Sequence, residues 1–374
     1  MKDLQNSGGT IIQEVMRELE LLAPTAYQES YDNAGLLVGS PATMVNGILF
    51  SLDVTEEVVQ EAVTKGCNLI VAHHPIIFKG LKKLNGKNYV ERTVIQSIKN
   101  DVAIYATHTN LDHVQQGVNW KLAGQLGLQN LRVLAPKKQL LNKLAFFVPV
   151  ENTQHVLEAL FNAGAGKIGD YSECSFRTSG TGSFLPGAAA NPVIGTPGKR
   201  EEVAEDRVEI MFPAHLESKI LATLKNVHPY EEVAYYLSTL ENENQEVGAG
   251  AVGTLPEPLA AADFLQLVKE RMHLRVIKHT KPAGHTIRTV AVCGGAGSFL
   301  LSNAKATGAD AFVTADYKYH EFFDGEGKIM ICDIGHYESE VLTKNLLYEY
   351  LSKKFDNFAL CLSEVETNPV QYFV

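Results

Sequence analysis

The chain has 374 residues, 45% of them hydrophobic and 20% charged, which allows two or three domains and fits an ordinary soluble globular protein. No stretch approaches the ~18 uninterrupted apolar residues of a spanning helix, so a membrane protein of that kind is excluded. A formal net charge of −10 argues against general nucleic-acid binding.

The N-terminus has neither an apolar core nor a small-residue cleavage site, so it does not read as a signal peptide. Ile11, Ile12, Val15, Met16, Leu19 and Leu22 recur instead at helical spacing, with Thr10 and Gln13 placed as a capping box and Pro24 ending the run. Five cysteines (Cys67, Cys174, Cys293, Cys332 and Cys361) are scattered without a CxxC. That suits reduced thiols in a cytoplasmic protein and speaks against a disulfide framework or a thiolate zinc site.

Further along, strands and helices alternate. Strands are expected at 47–54, 68–74 and 101–108, and helices at 56–66, 89–100 and 118–128. Such βαβα alternation predicts a largely parallel sheet covered by helices. The middle of the chain changes character. A strand (143–150), a helix (154–164), β-like stretches around Ser172–Ser183 and Arg207–Phe212, a helix (214–226) and a strand (231–240) give the order β-α-β-β-α-β. Residues 184–206, rich in Gly, Pro and Ala, read as a long mobile loop. After about residue 248 the first pattern resumes, with helices at 261–272 and 298–308, strands at 289–295, 310–316 and 328–334, and a last helix from 336 to about 355. The chain is therefore expected to be an α/β domain in two halves, 1–130 and 248–374, interrupted by an α+β insert at 131–247. The halves also resemble each other: GCNLIVAHHPIIF aligns with GADAFVTADYKYHEFF, and the segment holding His108-x-x-x-Asp112 aligns with that holding His336-x-x-x-Glu340. This predicts a pseudo-duplicated, three-layer α/β domain whose halves face each other across one site.

The chemistry-bearing residues fall at strand ends, where open α/β sheets place their sites. His73 and His74 close one strand and Asp112 follows another. His336 and Glu340, four apart, share one helix face. Adjacent residues on a strand point to opposite faces, so His73 and His74 suit two neighbouring metals better than one. Three imidazoles and two carboxylates are an all-N/O donor set, suited to zinc, iron, manganese, nickel or cobalt. One carboxylate can bridge two ions.

NAGLLVG (33–39), SLDVT (51–55), VAHHPIIFKGLKKLNG (71–86), ATHTNLDHVQQGVN (106–119), VAVCGGAGS (290–298), GADAFVTADYKYHE (308–321) and DIGHYESE (333–340) together resemble the Nif-three-like family, whose members are called GTP cyclohydrolase I type 2 homologs. The resemblance covers both outer segments, and the insert is similar to the ferredoxin-like PII/CutA-type domain of the longer bacterial members. It implies two divalent metal ions per subunit on His73, His74, Asp112, His336 and Glu340, with the glutamate as bridge. It also implies assembly of identical subunits into a toroidal hexamer.

Other candidates surround that set. Lys79, Lys82, Lys83 and Lys87 could draw a phosphate-bearing substrate, or form a solvated lid. Gly294, Gly295 and Gly297 could cradle an anion, or make a tight turn. Asp316 and His320 could act as general acid or base, or hydrogen-bond each other. His108 reads as a residue orienting Asp112 or a metal-bound water, and His228 in HPYEEV as a surface or fold residue. The leading expectation is a metal-dependent hydrolase of a small phosphorylated or nucleotide-like molecule. The alternatives are a metal-handling or metallochaperone ring protein with the insert as sensor, and a scaffold in which metal is structural.

Overall fold

The computed structural model describes residues 9–284 and 286–373. The chain separates into two compact units, one formed by the residues up to Ala135 with those from Val247 on, the other by Pro136–Glu246.

The first unit is built on two mixed sheets. One has five strands, in the spatial order Gly35–Val38, Ala103–Ala106, Leu69–Ala72, Gly47–Ser51 and Ala359–Leu362. All but the antiparallel edge Gly35–Val38 run parallel. The other has six, in the order Lys278–His279, Met330–Asp333, Ala311–Ala315, Thr286–Ala296, Asn244–Ala260 and Gln129–Lys137, with a parallel trio at Met330, Ala311 and Thr286. Each sheet thus carries a parallel triplet, Gly47–Ser51/Leu69–Ala72/Ala103–Ala106 in one and Thr286–Ala296/Ala311–Ala315/Met330–Asp333 in the other. Parallel strands need helical crossovers and are buried on both faces. Leu69–Ala72 and Ala311–Ala315 are accordingly buried at every residue, and Ile48, Leu69, Ile70 and Phe312 are wholly inaccessible. Each such side chain contributes roughly 1.5–3 kcal/mol of transfer free energy.

The helices follow from local rules. Thr55 caps Glu56–Thr64 by accepting the Val58 amide, and Asn88 caps Tyr89–Lys99 by accepting that of Glu91. The first helix begins at Ile12, one residue past the expected start: Glu14, not Gln13, reaches back to accept the Ile11 amide at 3.0 Å. The expected helix from 336 to 355 is two, His336–Glu340 and Thr343–Leu351.

The second unit has the order β-α-β-β-α-β: Leu141–Pro149, Thr153–Ala163, Ser175–Phe184, Glu201–Pro213, Glu217–Val227 and Tyr235–Leu240. Its antiparallel sheet runs Ser175–Phe184, Glu201–Pro213, Leu141–Pro149, Tyr235–Leu240. One core joins sheet and helices through Leu144, Phe146, Leu160, Phe212, Ile220 and Leu224.

Candidate metal centre

The strand ends of the first unit deliver the site. His73 and His74 follow Ala72, Thr107 and His108 follow Ala106, Asp316 follows Ala315, and the helix His336–Glu340 starts three residues after Asp333. Four imidazoles meet there, and each has its Nδ1 held by an oxygen acceptor. His73 Nδ1 donates to the Thr107 carbonyl at 2.8 Å. His74, His108 and His336 donate to Asp53, Asp32 and Asp316, each at 2.7 Å. A carbonyl can only accept, so His73 carries its proton on Nδ1 and presents a lone pair at Nε2. This is how ligating histidines are fixed in tautomer and orientation.

The inward-facing atoms are closely gathered. Glu340, 4% exposed, turns Oε2 toward His74 Nε2 at 2.9 Å and His336 Nε2 at 3.0 Å, and those two nitrogens lie 3.4 Å apart. Its other oxygen, Oε1, faces His73 Nε2 at 3.9 Å. His73 Nε2 also faces Asp112 Oδ1 at 3.6 Å, and both atoms are buried without a hydrogen-bond partner. A lone pair opposite a buried carboxylate oxygen is unfavourable unless positive charge lies between them. Bonds of ~2.0 Å to a tetrahedral ion put neighbouring ligand atoms about 3.3 Å apart, close to the spacings around Glu340. The residues present therefore fit a metal. Two groups of metal-capable atoms result, His74 with His336 and Glu340, and His73 with His74 and His108.

Electrostatics agree with the geometry. Burial opposes charge on His74, but its bonds to Asp53 and Glu340 outweigh that and raise its pKa to about 10. Burial likewise opposes charge on His336, and Glu340 and Asp316 raise it to about 9. Burial would raise Glu340, yet the surrounding histidines hold it well below the usual carboxylate range. Asp112 Oδ1 has histidine neighbours but no hydrogen bond from them. Burial and the Glu340 charge push it up to about 7. Left to each other, these groups bind protons where divalent cations would compete with them.

Of the sequence candidates, His73, His74, Asp112, His336 and Glu340 come together. His108 joins them, since Asp32 holds its Nδ1 and its ring belongs to the His73–His74 group. Asp316 is brought in by its bond to His336, and not to His320 as a hydrogen-bonded pair would require. His320 is exposed and packs its ring against Tyr319 and Phe323. The cause is local: Asp316 has φ 58° and the helical turn starts only at Tyr319, so residues four apart share no face. Lys79, Lys82, Lys83 and Lys87 are exposed. Two of the three amides in the glycine run are already taken. Gly294 N donates to Asn119 and Gly295 N to Ser339, each at 2.9 Å. Gly295, with φ +62°, instead makes room for the carboxylate: a Cβ there would lie 2.3 Å from Glu340 Oε1. Sequence reasoning missed Asp32 and Asp53. Asp32 stands immediately before NAGLLVG and Asp53 inside SLDVT, two motifs it singled out, and each lies on or beside a strand that pairs with a histidine-bearing one, which only the sheet order reveals.

A cavity of about 420 Å³ opens on His74, Asp316 and His336, with Lys278, Tyr337 and Tyr372 on its walls.

Residues 10–369 match the DUF34/NIF3 family, described as NGG1p interacting factor 3. The chain belongs to the DUF34/NIF3 family. It is 37% identical over 366 residues to a Bacillus subtilis protein named GTP cyclohydrolase 1 type 2 homolog, covering 96% of this chain and 98% of that one. A Halalkalibacterium halodurans protein of the same name is 38% identical over the same span. Among solved structures, a Bacillus cereus protein related to NIF3 superposes with TM-score 0.86 at 37% identity, covering 98% of this chain and all of the other. The mixed α/β architecture of this DUF34/NIF3 chain is thus that of its relatives. Among its described residues no helix is long and apolar enough to cross a membrane.

Proposed function

We propose that this DUF34/NIF3 chain holds two divalent metal ions and with them hydrolyses a small phosphorylated or nucleotide-like molecule. The observation that carries the reading is the convergence of four imidazoles, each fixed at Nδ1, three of them turned toward a buried glutamate whose two oxygens face different histidines. His73, Asp112 and His108 would hold one ion, His74 and His336 the other, and Glu340 would serve both. Zinc, iron, manganese, nickel or cobalt suits this donor set. When bound, such ions supply Lewis acidity, lowering the pKa of water and polarising the bond under attack.

The chain's own groups prepare that chemistry. Asp53, Asp32 and Asp316 lock three rings in place and add to their basicity. The cavity beside His74 and His336 would seat the substrate, and Lys278, paired with Asp333 at 2.5 Å, stands where a phosphate could enter. Lys79, Lys82 and Lys83 would add attraction from the surface. The relatives' name makes hydrolytic opening of a purine ring, with loss of formate, the first reaction to test.

A metal-handling role is the second reading. It is favoured by the exposure of His336 and Asp316, whose side chains are 40% and 50% accessible and would let an ion exchange with solvent. We read Pro136–Glu246 as a ferredoxin-like, PII-type insert, and the two parallel triplets as a pseudo-duplication. Self-assembly into a ring and a cytoplasmic location complete the proposal. Screening GTP, other nucleotides and phosphoesters with metal-loaded and chelated protein tests it. Turnover that vanishes on chelation and in Glu340→Gln supports hydrolysis, and labile metal without turnover on any of them supports metal handling.

A further inference from the structure

The second unit contains a cavity of its own, about 520 Å³, within the 300–1,000 Å³ range of small-molecule sites. The segment between Phe184 and Glu201 forms one wall. It is shaped by its own hydrogen bonds, Gly198 N to the Pro186 carbonyl at 2.9 Å and Lys199 N to the Thr196 carbonyl at 3.1 Å. Asn191 N ties it to Glu231 at 3.0 Å. The segment expected as a long mobile loop thus contributes a lining of Phe184, Leu185, Pro186, Pro192, Val193 and Ile194. The facing wall comes from HPYEEV, the motif that sequence reasoning left to the fold.

The charged groups lining this cavity are all acidic. Glu205 is 8% exposed, and its Oε1 accepts the Tyr230 hydroxyl at 2.8 Å. Its Oε2 lies against Gly182, where a Cβ would come within 1.9 Å, so a glycine is required to seat the carboxylate. Glu231 and Glu232 stand on the same wall, and no Lys or Arg lines the cavity. His228 does not offset them. Its Nδ1 accepts the Tyr230 amide at 3.1 Å, so its proton is on Nε2, donated to the Phe147 carbonyl at 2.9 Å, and the ring is neutral. A nearly buried carboxylate that accepts a single tyrosine hydroxyl, in an apolar cavity without a cation, is costly unless a cationic partner arrives.

We propose that this cavity binds a small organic cation, an amine or guanidine carried on an apolar body, with its charge on Glu205 and its body against Phe184 and Ile194. The site is independent of the metal-centre reading, because every residue of it lies in the second unit. Concavity and size select a free small molecule over a flat protein surface.

Calorimetric titration of the full-length chain with phenylbutylamine, phenylbutanol and phenylbutyrate tests the proposal. These share one apolar body and differ in charge. The amine should bind about ten- to a hundredfold more tightly than the alcohol, the worth of a charge-assisted hydrogen bond, and the carboxylate should not bind. Glu205→Gln should erase the preference for the amine. Ile194→Trp, which fills the cavity from a surface segment and leaves Glu205 in place, should abolish binding of amine and alcohol alike. Equal binding of amine and alcohol would overturn the proposal. So would amine binding that survives Ile194→Trp, or the absence of amine binding in the millimolar range, as expected if a neighbouring copy of the chain fills the cavity.

Discussion

Glu340 is the residue on which the metal centre turns. It sits one helical turn beyond His336, buried, with each oxygen facing a different part of the histidine cluster. Glu340→Gln keeps the shape and removes the charge that would offset two cations at short range. Metal titration of this variant should show at most one ion bound and no hydrolysis. Two ions held with wild-type affinity would move the bridging role to Asp112. The carboxylates behind the rings make a graded prediction. Asp53→Asn and Asp316→Asn should each lower metal affinity about 10- to 100-fold without unfolding the protein, since they orient His74 and His336 from outside. The same pairs set a pH dependence. His74 and His336, raised to about 10 and 9, keep protons in the folded chelated protein that the unfolded chain gives up near pH 6.5. That stabilisation is complete below about pH 6.5 and disappears as pH rises through 9 to 10. The melting temperature of chelated protein should therefore fall across that window, and metal affinity should climb over it as protons are displaced. A flat profile in both would contradict the assignment.

At the scale of the element, period and strand ends were legible, and close approach was not. Apolar runs such as NLIVA and DAFVTA read as buried strands, and each delivers the polar residues that follow it to the C-terminal end of its own parallel triplet. That is why His73, His74, Asp112, His336 and Glu340 could be picked out together. The strand Asn244–Ala260 is not among the expected elements, because its glycines and prolines interrupt any strand-like alternation. In the fold those glycines are contact points: a Cβ on Gly248 would meet the Ala135 carbonyl oxygen at 2.2 Å, and one on Gly253 the Gln129 carbonyl oxygen at 2.8 Å. Gln129–Lys137 was hidden for a similar reason, its alternation broken by Arg132 and Pro136. Gly295 joins this effect to function. Gly295→Ala, at φ +62° and against Glu340, should displace the carboxylate and lower bound metal more than it lowers melting temperature. A variant with full metal content would show that Glu340 has room to spare.

Over the whole molecule, two compact units with separate cores follow one another in sequence as outer, inner, outer. All the proposed metal ligands lie in the outer segments. Deleting the inner unit, Pro136–Glu246, and rejoining the ends should leave a folded core that still binds metal, because termini of an inserted domain commonly lie close together. Aggregation of that core, with the isolated insert also unfolded, would show that the units are not independent. The most direct test of the account is elemental analysis of the purified full-length protein beside His74→Ala and Asp112→Ala. The account predicts about two divalent ions per chain in the wild type and clearly fewer in both variants, with melting behaviour that still reports a folded protein. Full metal content in both variants, or none in a wild-type protein offered zinc, iron, manganese, nickel and cobalt, would contradict it.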